Sequence, residues 1–222
     1  MDCRKFWRIE VNLKSPVVSV PSLDSLLVAQ YYKKQSGGAI QHIQRDERIN
    51  PCEADIGIDV EQPNSAEKFY ACSNPIYHES DLTEEHIASR VSDKIILKTK
   101  SNKNETFSIQ RGSFRSVFIP ICQKEVKKVI YFVRGDRIKI SDLLSGVCNF
   151  GKYRKLGKGE VSEFRIQETE KDMSIIYKDI LFKTVPKSYV GDTKLRNKTA
   201  RYIGYRPPYW HIQNKTLCET PI

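Results

Sequence analysis

Apolar and polar residues alternate with a period of two near the start of the chain. Between residues 5 and 13, Trp7, Ile9 and Val11 occupy one set of alternate positions, and Phe6, Arg8 and Glu10 occupy the other. A period of two places alternate side chains on opposite faces of an extended backbone. The segment is therefore predicted to be a β-strand.

The period becomes helical between residues 22 and 35. Apolar residues recur three and four positions apart at Leu23, Leu26, Leu27 and Tyr31. Ser22 is placed to begin this helix as its N-cap, because its side chain can accept from free backbone N–H groups. Gly37 and Gly38 follow the last turn and are predicted to end it. The chain thus opens with a strand and then a helix.

The next hundred residues have a weaker pattern. Residues 38–67 are polar and acidic and contain Pro51, Gly57 and Pro63, which predicts an irregular insertion. Residues 68–77 are predicted to be a strand. From Thr83 a capping-box-like start indicates a helical turn, and a flexible hairpin with its turn near residues 100–105 is the alternative.

The second half contains clearer segments. Ile140, Leu143 and Leu144 are spaced so that a short helix can turn them towards a sheet. The predicted elements are strands at 114–121, 127–133 and 160–170, and a helix within 135–147.

With the insertions removed, the order is strand, helix, strand, strand, helix, strand. This order predicts the α+β class and a ferredoxin-like (RRM-like) βαββαβ core with a glycine-rich loop after its second helix. Residues 1–170 are predicted to form this domain, with insertions at about 38–67 and at about 78–113, the second being a hairpin or thumb. Residues 171–222 are predicted to be a C-terminal β-hairpin extension of the same domain, since Pro207 and Pro208 exclude a helix there.

The net charge of +10 is distributed unevenly along the 222 residues. Residues 1–50 carry eight cations and five anions, residues 51–93 carry two and ten, and residues 94–222 carry 27 and 12. A basic C-terminal half indicates a polyanionic partner, and nucleic acid is the first candidate. A solvated basic surface with no such partner is the alternative.

The loop "NFGKYRKLGKGEV" at residues 149–161 combines three glycines with four cations. Glycines allow positive φ and leave room for a phosphodiester backbone, while exposed N–H groups and cations attract phosphates. Phe150 and Tyr153 could stack on bases. The spacing fits neither a Walker loop nor a dinucleotide fingerprint. An ordinary basic loop with turn glycines is the alternative.

Other chemistry has little support in the sequence. The six cysteines are far apart and show no zinc or redox spacing. Asp55, Asp59 and Glu61 could gather around a metal, but an acidic loop is more often solvated or meets a basic partner. We therefore expect no metal and no cofactor. The absence of a signal-like N-terminus or a long apolar run predicts a cytoplasmic protein without membrane contact.

Four segments together resemble a known family. The loop "GKYRKLGKGEV" resembles the glycine-rich loop of the RAMP superfamily of CRISPR-associated proteins. The segments "SPVVSVPSLDSLLVAQYY", "RGSFRSVFIP" and "YRPPYW" are similar to segments of the type IV family-five RAMP subunit.

This resemblance implies a non-catalytic subunit that binds the 5′ handle of the guide RNA and nucleates assembly of a type IV-like effector complex. The implied partners are CRISPR RNA, backbone RAMP subunits, the large subunit and, through the complex, target DNA. The residues expected to bind RNA are Gly151, Lys152, Tyr153, Arg154, Lys155, Gly157, Lys158, Gly159, Arg111, Arg115 and Arg206. Tyr202, Tyr205, Tyr209 and Trp210 could stack on bases or could close a small core.

Two other functions remain open at this stage. Some RAMP relatives cleave precursor CRISPR RNA without metal, and His42 follows the first helix where such enzymes often hold a catalytic histidine. A metal-independent endoribonuclease with His42 as its catalytic group is therefore the alternative. A ferredoxin-like RNA-binding protein outside CRISPR systems is a third possibility.

Overall fold

The computed structural model describes residues 5–37, 54–64, 66–78, 81–89 and 117–222. Within these residues the α-helices are α1 (Leu23–Gln35), α2 (Arg137–Leu144) and α3 (Lys187–Val190). Its strands are β1 (Phe6–Leu13), β2 (Val60–Glu61), β3 (Phe69–Tyr70), β4 (Ile76–Tyr77), β5 (Leu82–Ser89), β6 (Val117–Lys124), β7 (Lys128–Arg134), β8 (Val161–Thr169), β9 (Ile176–Tyr177), β10 (Ile180–Leu181), β11 (Val185–Pro186), β12 (Lys198–Gly204) and β13 (Lys215–Pro221). The expectation of an α+β protein is confirmed.

The largest sheet has the order β4–β7–β1–β8, and all of its neighbouring strands are antiparallel. The predicted alternation of β1 is confirmed, because Trp7, Ile9 and Val11 are buried in the main core. The buried faces of α1 and α2 contribute to the same core. Burying these apolar side chains holds the two helices against one face of the sheet.

The two predicted helices are confirmed, but their caps differ. Asp136 caps α2 as an N-cap should, because its side chain accepts from the N–H groups of Ile138 and Lys139. Ser22 occupies the N-cap position of α1, yet its hydroxyl bonds the Ser25 hydroxyl at 2.7 Å and caps no backbone N–H. Gly37 follows α1 with φ +64°, as expected of a helix-ending glycine.

The sequence left a helical turn and a hairpin open from Thr83, and of these two the helical turn is wrong. Residues Leu82–Ser89 form strand β5, which pairs antiparallel with β6 along its whole length. The helix signal was local, whereas the partner strand lies about thirty residues further along the chain, so pairing outweighed the local preference. The predicted turn at 100–105 lies outside the described residues.

A second buried cluster lies beside the main core. It joins Phe69 and Ala71 to residues of the C-terminal segment, among them Leu181, Val185 and Cys218. The C-terminal segment also forms a three-stranded sheet in the order β11–β13–β12. No helix in the described part of the chain is both long enough and apolar enough to cross a membrane.

The face of the main sheet opposite the helices carries an ion-pair network. Glu10 contacts Lys128 at 2.9 Å and Arg8 at 3.0 Å. The hydrogen bond from Lys128 holds the pKa of the Glu10 carboxyl below its usual value. This part of the sheet is therefore occupied by charges that neutralise one another.

Candidate nucleic-acid interface

The glycine-rich loop between α2 and β8 is fixed at its base. The Phe150 N–H donates to the Gly159 carbonyl at 2.7 Å, and the Gly159 N–H donates to the Pro16 carbonyl at 2.9 Å. The Ser15 hydroxyl donates to the Gly157 carbonyl and accepts from the Glu160 N–H, both at 2.8 Å. The loop is thereby closed on itself and tied to the segment that follows β1.

Two of the three glycines are required by packing within the chain. Gly151 has φ +81°, and a Cβ there would lie 2.1 Å from the Ser19 carbonyl oxygen. Gly159 has φ +63°, and a Cβ there would lie 2.0 Å from the Phe150 carbonyl oxygen. The close approach that the sequence suggested for a ligand is made here by the protein's own backbone.

Gly157 differs from the other two glycines. It has φ +76° and ends the 3-10 turn Arg154–Leu156, but a Cβ there would meet nothing within 4 Å. Its role inside the protein is therefore limited to the backbone turn, and the space beside it is open.

The tip of the loop presents cations to solvent. Lys152, Arg154 and Lys155 are exposed, and none of them forms an ion pair with another described residue. Tyr153 lies between them in the left-handed region at φ 58°, with 42% of its surface exposed. Within the described part of the chain, the N–H groups of residues 152–155 donate to no protein acceptor. The tip therefore offers positive charge, free donors and one ring.

Lys158 has a different environment from the other three cations. Its ammonium pairs with the Glu85 carboxylate of β5, and only 14% of its side chain is exposed. The hydrogen bond from Lys158 lowers the pKa of Glu85. Lys158 thus connects the loop to the β5–β6 pair, and its charge is already compensated.

The structure separates the aromatic residues into two groups. Phe150 is fully buried, with its ring 6.4 Å from that of Tyr131, so the prediction that it could stack on a base is wrong. Tyr205 is buried in the second cluster, and burial raises the pKa of the Tyr209 hydroxyl well above its usual value. Tyr202 and Trp210 remain exposed, at 67% and 54%.

Arg206 lies among protein acceptors. Its Nε donates to Asn214 Oδ1 at 2.7 Å, and its Nη1 donates to the Lys68 carbonyl at 3.4 Å. Its guanidinium also covers the ring of Tyr205 at 5.3 Å. These contacts show that Arg206 holds the 205–214 segment in place. Three other predicted site residues, His42, Arg111 and Arg115, lie outside the described residues.

The acidic residues pair with cations of the same chain. Arg134 bonds Asp59 and Asp172 at 3.1 Å each and also pairs with Glu61. Lys139 pairs with Asp55 and thereby lowers the pKa of that carboxyl. In the described ranges no three His, Cys, Asp or Glu side chains gather as a metal site would require. Asp55, Asp59 and Glu61 therefore serve as internal ion-pair partners.

An open cleft of ≈ 850 Å³ lies at the far end of β1 from the loop. Its lining includes Trp7, Arg134 and Arg137 together with the carboxylates of Asp59 and Glu61. Cations and anions line the cleft in similar numbers. The cleft therefore lacks the positive electrostatic potential that a phosphate-binding site needs. The loop tip is the stronger candidate for nucleic acid.

The chain matches a known protein family. A family described as "CRISPR type IV associated protein Csf3" matches residues 57–221, a range that includes the glycine-rich loop and the C-terminal strands. No curated protein matches the chain.

Proposed function

The chain belongs to the Csf3 family of type IV CRISPR-associated proteins, and from that premise we propose that it is a non-catalytic subunit that binds the 5′ handle of the guide RNA and nucleates assembly of the effector complex. The observation that carries this proposal is the group of exposed cations Lys152, Arg154 and Lys155, which form no ion pair with the described residues and lie on a loop with a fixed base. Such a group is suited to a phosphate backbone.

The proposed fold behind this function is a ferredoxin-like core made of β1, α1, β4, β7, α2 and β8. Its support is the sheet order β4–β7–β1–β8 with antiparallel pairing throughout, and the position of α1 and α2 after β1 and β7. Residues 171–222 are proposed to extend the same domain, since the second buried cluster contains residues from both parts.

The loop is proposed to bind RNA through three kinds of contact. Lys152, Arg154 and Lys155 attract phosphates, and the free N–H groups of residues 152–155 can bond phosphate oxygens. Tyr153 can stack on one unpaired base. Gly157 leaves open space beside these residues. The other predicted site residues hold the surrounding backbone and side chains in position; they are Gly151, Lys158, Gly159 and Arg206.

The open face of the main sheet is a weaker candidate for RNA. RRM-type recognition stacks bases on aromatic residues of central strands. In β1 the corresponding positions include Arg8 and Glu10, which pair with each other, and Glu10 also pairs with Lys128. Bases would have to displace this network, so the loop is favoured.

The proposed partners are CRISPR RNA, backbone RAMP subunits and the large subunit, and target DNA is reached through the complex. No described contact favours the endoribonuclease alternative. His211, one of the described histidines, accepts from the Gln213 N–H through its Nδ1 at 3.3 Å and thus caps a turn.

The test is to purify the full chain with and without its partner subunits and to sequence the RNA that copurifies. A uniform small RNA with a fixed, repeat-derived 5′ end is expected. Heterogeneous RNA, or none, would contradict handle binding. Incubating the purified chain with an uncleaved repeat RNA in EDTA separates the two functions, because the proposal predicts intact RNA and the endoribonuclease alternative predicts cleavage.

A further inference from the structure

The C-terminal hairpin exposes apolar side chains on one face. Tyr202 of β12 lies directly opposite Leu217 of β13, and directly paired residues project to the same side of a sheet. Tyr202 is 67% exposed and Leu217 is 45% exposed. Among the described strands, β12 also lies at one edge of its sheet. Neither residue is covered by the part of the chain that the structure describes.

The backbone next to Trp210 crosses this same face. Gly204 shares the face of Tyr202, two positions along the strand, and a Cβ there would lie 2.2 Å from the Tyr209 carbonyl oxygen. The segment that contains Tyr209 therefore crosses the hairpin face at Gly204, and Trp210 is the next residue.

The segment that presents Trp210 is firmly anchored. The Tyr209 hydroxyl donates to Asp24 at 2.7 Å, and the Asn214 side-chain amide donates to the carbonyls of Pro207 and Pro208 at 3.2 Å each. Trp210 nevertheless remains 54% exposed. A fixed segment thus displays a large ring to solvent, and exposed apolar clusters of this kind mark interaction sites.

The charge around these rings indicates the class of partner. Residues 193–218 contain six Lys or Arg residues and no Asp or Glu. The neighbouring carboxylate, Glu219, is buried and contacts Lys198 at 3.6 Å. Lys215 lies on the Tyr202 face as the direct partner of Gly204. Exposed aromatic rings surrounded by cations suit single-stranded nucleic acid, because its bases can stack on the rings while its phosphates contact the cations.

We propose that Tyr202 and Trp210, with Lys215 beside them, form a stacking platform for single-stranded RNA. The platform is a second contact surface, distinct from the glycine-rich loop. Its role rests on the proposed function, because the RNA that it would contact is the guide RNA. Stacking is tolerant of base identity. The platform therefore adds affinity for unpaired nucleotides and leaves the choice of handle sequence to other contacts.

The two tryptophans of the chain allow a direct test. Trp7 is 5% exposed and Trp210 is 54% exposed, so Trp210 is the ring that RNA can reach. The full chain is titrated with oligouridylate of about 16 nucleotides, the upper end of usual single-strand site sizes. Quenching of tryptophan fluorescence is expected, together with its loss in Trp210→Ala. Binding of this RNA without quenching overturns the proposal.

Affinities measured with labelled RNA provide the second arm. Tyr202→Ala and Trp210→Ala are each expected to weaken binding by about 5- to 150-fold, the range measured for base–aromatic stacking, and Tyr202→Phe and Trp210→Phe are expected to restore it. Ile138→Ala is the matched control, because Ile138 is an exposed apolar residue on α2.

The outcomes separate the platform from the proposed function. Weaker binding when Lys152, Arg154 and Lys155 are replaced by alanine, with unchanged binding in Tyr202→Ala and Trp210→Ala, overturns the platform alone. No RNA binding by the unmodified chain or its complex overturns both. Quenching of Trp210 by a purified partner subunit, but not by RNA, shows that a protein is the occupant and also overturns the platform.

Discussion

Asp24 and Lys183 form a buried ion pair that connects α1 to the C-terminal segment. Lys183 Nζ lies 3.0 Å from Asp24 Oδ2, and both side chains are almost fully buried. The Tyr209 hydroxyl donates to the same oxygen at 2.7 Å. One carboxylate near the start of α1 therefore fixes two points of the C-terminal segment, including the residue before Trp210.

Lys183→Met is expected to lower the free energy of unfolding by about 3 to 5 kcal/mol, because it leaves a buried carboxylate without its cation. Tyr209→Phe removes one hydrogen bond to the same carboxylate and is expected to cost about 1.5 to 3 kcal/mol. Urea unfolding followed by circular dichroism measures both. Combining Asp24→Asn with Lys183→Met is expected to recover part of the loss. A loss below about 1 kcal/mol in Lys183→Met, the range of exposed pairs, would contradict the assignment.

The glycines of the loop are expected to differ in their tolerance of alanine. Gly157→Ala meets open space and is expected to cost about 1 to 2 kcal/mol, the strain of a left-handed backbone. Gly159→Ala carries the same strain and also overlaps the Phe150 carbonyl, so a loss of at least about 3 kcal/mol is expected. Urea midpoints compare the two variants. Equal losses would show that the loop base is looser than its hydrogen bonds indicate.

The contacts of these glycines could not be predicted from the sequence. The sequence indicates that positions 151 and 159 need glycine, but not which atoms approach them. Ser19 lies more than 130 residues before Gly151, and no local pattern predicts that contact. The same limit applies to Phe150, because alternation of rings and cations does not distinguish a buried ring from an exposed one.

Elements with a strong local period were predictable. β1 and α2 follow from alternation and from helical spacing, because their apolar faces determine where each side chain goes. For β5 the sequence did not decide between a helical turn and a hairpin strand, since its partner β6 is distant in sequence. In the C-terminal segment, the sequence does not show which of the neighbouring rings Tyr209 and Trp210 is exposed. Tyr209 is held inward by its hydrogen bond to Asp24, which is distant in sequence.

Acid is expected to weaken the ion-pair network of the main sheet. Lys128 holds the pKa of Glu10 below its ordinary value of 4.5 in the folded state. Because the pKa of Glu10 is lower in the folded than in the unfolded chain, its ion pair contributes its full stability above pH 4.5. That contribution is lost as the pH falls through the pKa of Glu10 in the folded state. Urea midpoints measured between about pH 3 and pH 6 are expected to fall less steeply with acid in Glu10→Gln than in the unmodified chain. The same slope in both would exclude Glu10 as a contributor.

The cations of the loop tip are expected to contribute to the salt dependence of RNA binding. Replacing Lys152, Arg154 and Lys155 together by alanine is expected to weaken RNA binding and to reduce the slope of log affinity against log salt by up to about 2, at roughly 0.7 for each phosphate that the variant no longer neutralises. Lys158→Ala is expected to change the slope by less than about 0.7, because Glu85 already compensates its charge.

The matched control replaces Lys33, Lys171 and Lys178 by alanine, which removes the same charge from exposed positions outside the loop. Because steering by net charge acts at long range while phosphate contacts act locally, only the loop variant is expected to change the slope. Fluorescence anisotropy over a range of salt concentrations measures it. Equal changes in the two triple variants would mean that the loop contributes only its share of a general positive field, and RNA would then have to be held elsewhere on the chain.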